Sequence, residues 1–141
     1  MNGDAFGVGV TMTLGCDVRY LADDARLGLN FTRLGVLPGL GSTHHLPRLV
    51  GVGKSMELVL SGATISAQTG YEIGLVQGLY PAEDVYGAAR DLALAMAGVK
   101  PAVLAAAKQA LRSGAGSSLE EAIKTEKRLG RELGQVRERS R

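Results

Sequence analysis

The spacing of apolar and polar positions changes several times along the chain, and each change marks an element. Residues 8–14 form a short apolar run dotted with threonines. It is entered through Phe6-Gly7-Val8-Gly9 and ended by Gly15, which predicts a buried helix behind a glycine turn. Residues 16–22 have period-two character with β-branched and aromatic members, and predict a strand. Asp23-Asp24 reads as a turn, and 25–29 as a second short strand placed to pair with the first. A loop of closely spaced glycines follows over 34–41. Ser42 or Thr43 then caps a helix to about Val50, with Pro47 expected to kink or shorten it. Residues 54–60 are amphipathic and helical. Ser66 caps a short helix over 67–73, closed by Gly74. Residues 75–80 read as a strand or extended link. Three longer helices follow over 82–97, from Pro101 to about Leu111, and from Leu119 to about Val136; Ser118 and Glu121 form a capping box for the last.

Composition adds limits to this pattern. A chain of 141 residues with 45% hydrophobic content is long enough for one domain with a sizeable core. The basic excess lies at the C-terminal end, where 118–141 carries seven basic residues against five glutamates; the first 117 residues balance at nine and nine. Mixed signs at helical spacing read as a solvated helix face, not a nucleic-acid arm. Trp is absent and aromatics make up only 4%, which argues against a base-stacking platform. The single cysteine, Cys16, rules out a disulfide within one chain; its apolar neighbours suggest a small buried hydrophobe in a reducing compartment. No run of eighteen apolar residues predicts a spanning helix, and the first residues do not read as a secretory signal.

Candidate chemistry is sparse. Gly51-Val52-Gly53-Lys54-Ser55 suggests a phosphate loop, but the required first glycine falls at Arg48. Gly7-Val8-Gly9 lacks the third glycine of a dinucleotide fingerprint. His44 and His45 are adjacent and diverge on a helix, so no metal site is expected, although one can line a pocket. Asp17, Asp23 and Asp24 form no carboxylate pair suited to general acid–base work. What remains is backbone. A helix start reached through a glycine turn aims unpaired N–H groups at one point, where they can stabilise a thioester oxygen as it becomes an enolate.

The order of five blocks resembles the enoyl-CoA hydratase/isomerase (crotonase) family. They are Asn2-Gly3 through Gly9, Cys16-Asp17, the run 23–29 (DDARLGL), the run 34–51 (LGVLPGLGSTHHLPRLVG) and the run 60–76 (LSGATISAQTGYEIGLV). The resemblance extends from Asn2 to about Leu133. It implies an α/β fold: part of a crotonase-type ββα spiral with few short strands, then C-terminal helices, mostly helical overall. It implies an acyl-CoA as the small-molecule partner, with coenzyme A part of the substrate and no separate cofactor. The implied chemistry is hydration or isomerisation of an enoyl-CoA, of the fatty-acid metabolism type, in the cytoplasm. It places an oxyanion backbone N–H at Val8 and substrate contacts at Phe6, Gly7, Gly9, Leu37, Pro38 and Gly39. The family's two catalytic glutamates fall at Thr11 and Phe31, neither of them acidic. The other oxyanion donor belongs to the family's N-terminal half. A single, truncated domain is therefore expected, with 1–62 as half of an acyl-CoA site and 63–141 as a helical assembly region. The resemblance also implies a homo-oligomer, a trimer or hexamer, or assembly with a family partner chain. Whether such a chain is an enzyme stays open at this point; the alternative is a catalytically inactive truncated paralogue that acts as an oligomer-assembly module. An unpaired edge at 16–29 and marginal stability or oligomerisation follow from the same expectation.

Overall fold

The first strand is one that the apolar spacing does not reveal. Ala5–Phe6 (β1) precedes the glycine turn and leads into the helix Val8–Thr11 (α1). The chain continues through Tyr20–Ala22 (β2), Arg26–Gly28 (β3), a single 3-10 turn at Thr32–Leu34, and the helices Ser42–Val50 (α2) and Val52–Ser61 (α3). Then come Thr64–Ser66 (β4), Ala67–Glu72 (α4), Gly78–Tyr80 (β5), Val85–Ala97 (α5), Pro101–Gly114 (α6) and Leu119–Arg139 (α7). This computed structural model describes residues 1–139, with side chains in α7 described through Gln135. The expected fold class holds: α/β, with few short strands and mostly helix.

The strand pairing differs from expectation. β2 and β3 are sequence neighbours but lie in different sheets. β3 is the central strand of the order β1-β3-β4, parallel to β1 (Ala5 opposite Leu27) and antiparallel to β4 (Leu27 opposite Ile65). β2 pairs in parallel with β5, Tyr20 opposite Gly78 and Ala22 opposite Tyr80. The reason is burial on both faces. Leu21 and Ala22, and likewise Leu27, Gly28 and Leu29, are consecutive buried residues, the pattern of strands covered on both sides and not of a half-exposed hairpin. The 16–29 segment is therefore no unpaired edge: β3 is bonded on both sides, and the Met1 carbonyl accepts from Ala22 N–H on the side of β2 away from β5 (2.9 Å).

Four local expectations also change. The first helix is one turn shorter than 8–14 and unwinds through hydrogen-bonded turns, with Thr13 Oγ1 bonding back to the Val10 carbonyl (2.8 Å). Cys16 is exposed, not buried, because the strand begins only at Tyr20. Ser42 does not cap α2. Gly41, at φ 70°, takes that position, and Ser42 is buried just inside the helix. Pro47 is accommodated without ending α2.

The chain divides into two compact units, Met1–Arg90 and Asp91–Arg141. The core of the first is built on Val10, Leu21, Leu27, Leu46, Leu75 and Val76, all under 3% exposed. Buried Arg19 ties its two ends together. Its guanidinium donates to the carbonyls of Leu75 (2.7 Å) and Cys16 (2.7 Å) and to Gln77 Oε1 (3.2 Å). Burial lowers its pKa from the ordinary arginine value, and interaction with Cys16 opposes that shift. In the second unit α6 packs against α7 around Leu129. Its expected features are present: Pro101 opens α6, Ser118 and Glu121 form a reciprocal capping box, and i,i+4 pairs join Lys124 to Glu120 and Arg128 to Glu132. The side chains of Arg137 and Arg139, and all of Arg141, lie outside the described residues. Among the described residues, no helix is long and apolar enough to cross a membrane.

Candidate functional site

Gly7 sits at φ 53°, ψ −114°, a conformation that side-chain-bearing L-residues rarely adopt, and it turns the chain from β1 directly into α1. Its own N–H donates to the Gly28 carbonyl on β3 (2.8 Å), which fixes the turn to the sheet. Its carbonyl accepts from the N–H groups of Val10 and Thr11 (both 3.1 Å). Val8 and Gly9 occupy the first two helical positions, where an N–H has no acceptor within the helix. The arrangement is a backbone donor pair at the end of a strand, held by a glycine that cannot be replaced without strain.

Side chains close around it. A Cβ placed on Gly7 would stand 3.7 Å from both the Phe31 ring and Asn30 Oδ1, so the end of the β3 segment forms one wall. Phe31 is 8% exposed and Thr11 1% exposed. The Thr11 hydroxyl reaches the Val8 carbonyl only at 3.5 Å, a long contact. Phe6 lies across Gly28 so closely that a Cβ there would fall 2.6 Å from its ring. Gly9 abuts Ala5. The predicted residues Phe6, Gly7, Val8, Gly9, Thr11 and Phe31 thus belong to one neighbourhood. The loop residues diverge from it: Pro38 lines an apolar cavity between α2 and α3, Leu37 projects into solvent at 88% exposure, and Gly39 has open space around it. The loop enters α2 through Leu40 at φ 57° and Gly41 at φ 70°, and Leu40 is the one non-glycine residue with positive φ among those described.

Charge near the turn comes from residues the sequence reading passed over. Asp4, just before β1, accepts from Arg26 Nη2 (2.7 Å), Nε (3.1 Å) and the Arg26 backbone N–H (2.7 Å). Those bonds, the side-chain one foremost, hold the Asp4 carboxyl below its usual range. The pair therefore staples β1 to β3 beside the turn. Gly28, Asn30 and Asp4 were legible only in part: DDARLGL showed a glycine in a strand, a sign of close backbone approach, but not what approached it. His45 stands beside Gly15 and Gly41, and its ring meets that of His44 edge-on at 5.2 Å. No group of three or more His, Cys, Asp or Glu side chains converges among the described residues.

A family model described as enoyl-CoA hydratase/isomerase matches residues 1–141. The chain belongs to that family. It is 40% identical over 129 residues to the 2,3-dehydroadipyl-CoA hydratase of Escherichia coli, covering 92% of this chain and 51% of that protein. The solved enoyl-CoA hydratase of Bacillus anthracis superposes with a TM-score of 0.86 at 38% identity, over 92% of this chain and 50% of that one. A Thermobifida fusca protein solved in complex with CoA superposes with a TM-score of 0.89 at 29% identity, over 98% of this chain and 53% of that one. The chain thus spans about half the length of these relatives. Its architecture is the crotonase fold, in the part that these alignments cover.

Proposed function

We propose that the chain handles an acyl-CoA thioester, through the Val8 backbone N–H as an oxyanion donor, in the hydration or isomerisation of an enoyl-CoA. The observation that carries this reading is the Gly7 turn, which leaves the Val8 N–H free of any intrahelical acceptor and fixes it to β3 through Gly28. A thioester oxygen at that point gains charge as the enolate develops, and a pre-oriented N–H meets it without reorganisation. Phe6, Gly7 and Gly9 shape the approach and Phe31 walls the acyl group. Thr11, in a glutamate's place, can orient a water by hydrogen bonding but is a poor base. Coenzyme A enters as part of the substrate, the compartment is the cytoplasm, and the remaining donor and any acid–base group come from another polypeptide segment.

The test is Val8→Pro. Proline is tolerated at the first helical position and removes this one N–H. Calorimetric titration with acetoacetyl-CoA should show affinity reduced by roughly 10- to 100-fold, the range expected for loss of one hydrogen bond to a charged or partly charged acceptor. Unchanged affinity in a variant with an unchanged circular dichroism spectrum would refute the role of Val8. A second reading is favoured by the exposed apolar residues Leu34, Val36, Leu37, Val52, Met56 and Leu60, all more than half exposed. It is a catalytically inactive module that joins trimers or hexamers. Absence of acyl-CoA binding together with a defined oligomer by light scattering would select it.

A further inference from the structure

We infer that Asn30 determines substrate specificity at the Gly7 turn: its carboxamide bonds an oxygen on carbon 3 of the acyl thioester, so 3-oxoacyl and 3-hydroxyacyl chains are preferred to saturated chains of equal length. This inference rests on the reading of Val8 as the oxyanion donor. Four polar side chains lie between Arg26 and Arg33, and three of them are committed. Arg26 holds Asp4, the Thr32 hydroxyl donates to the Val59 carbonyl (2.7 Å), and Arg33 Nε donates to the Ser61 carbonyl (2.8 Å). The fourth, Asn30, is half-buried, and its side chain has no hydrogen-bond partner among the described residues. Its neighbours Leu29 and Phe31 are buried, so the amide is a polar group set in an apolar wall.

The carboxamide faces the turn that carries the donor. Asn30 Oδ1 and the Phe31 ring both stand 3.7 Å from the point that a Cβ on Gly7 would occupy. With standard bond lengths, that contact places Oδ1 within about 8 Å of the Val8 nitrogen. One acyl chain can bridge that gap with two hydrogen bonds of about 2.9 Å each, from Val8 to the oxygen on carbon 1 and at Asn30 to an oxygen on carbon 3. A carboxamide both donates and accepts, so it can donate to a keto oxygen or accept from a hydroxyl. It carries no titratable proton in the neutral range, so it selects the substrate and leaves acid–base work to other groups. A saturated chain brings only a methylene to the amide. Water is then displaced with nothing offered in return, and a polar group left unpaired discriminates against the analogue that lacks the oxygen.

The experiment is calorimetric titration of the full chain with acetoacetyl-CoA, 3-hydroxybutyryl-CoA and butyryl-CoA, which share one chain length. The first two should bind about tenfold more tightly than butyryl-CoA, the gain from one hydrogen bond. Asn30→Leu, of similar volume, should erase that preference while leaving butyryl-CoA within about twofold. Asn30→Asp keeps the shape but only accepts. It should retain 3-hydroxybutyryl-CoA and reject acetoacetyl-CoA, a split that a merely structural role for Asn30 does not produce, and it carries the test if the leucine variant does not fold. Val8→Pro should weaken all three ligands by a similar factor. No preference in the unaltered chain, or a preference that survives Asn30→Leu, would overturn the role of Asn30 while the effect of Val8→Pro stands. Absence of binding by all three thioesters, or binding indifferent to Val8→Pro, would instead refute the underlying reading and this inference with it.

Discussion

Replacing Gly7 with alanine would force a Cβ-bearing residue to hold φ 53°, ψ −114°, at a cost of about 1–3 kcal/mol for a residue held in so sparsely populated a region. Urea denaturation should show that loss as a lower midpoint with an unchanged slope. Gly28 fails for a different reason: its backbone is ordinary, but Phe6 occupies the space where a Cβ would go. Gly28→Ala should therefore destabilise by about 1–3 kcal/mol through overpacking. The double variant Phe6→Ala/Gly28→Ala should show less than the sum of the two single effects, because the clash is gone. The turn's stabiliser on the surface is ionic. The pKa values of Asp4 and of Glu121 in the capping box are both lowered, from the ordinary 3.8 and 4.5, by their hydrogen bonds to Arg26 and Ser118. A lowered carboxyl contributes stability above its unfolded-state pKa and loses it as pH falls through the folded-state value. Unfolding midpoints should accordingly drop on acidification from about pH 5 to pH 3, and Asp4→Asn should flatten part of that drop.

Elements of the first unit are short, so contacts between distant segments hold them more than their own propensity does. Five strands have no more than three residues each. Arg19 shows what replaces length: one guanidinium joins the turn at Cys16 to the segment entering β5. Arg19→Met fills similar volume but leaves the Leu75 and Cys16 carbonyls without that donor. A loss of about 2–5 kcal/mol is expected, roughly one desolvated acceptor apiece plus the Gln77 contact. Thermal unfolding read at β5 and at α7 would show the loss in the first unit. The long helices were readable in advance because periodicity over 13 to 21 residues averages out local exceptions, as in α5 and α7. β1 and β4 were not, since two or three residues carry no period; β1 also hides inside a glycine-rich segment that reads as a turn.

Across the whole molecule, family and fold were legible because ordered glycine and apolar blocks record backbone geometry, which the Gly7 and Gly41 turns then display. The pairing of β2 with β5 was not legible, because nothing local in 16–29 states which segment lies beside it. Nor was Ser42's burial: a serine before an apolar run has the look of a cap, and only tertiary packing turns it inward. That β2–β5 pairing has a consequence in time. Arg19 and Gln77 are 58 positions apart, and a ribosome adding about 5–20 residues each second needs roughly 3–12 s to cover that interval. Throughout it β2 and its arginine wait beside unfinished chain, while β1 and β3, already made, can close on each other. Pulse-labelled nascent chains should therefore protect β3 amides well before those of β2, and the interval between them is when a chaperone would find this protein.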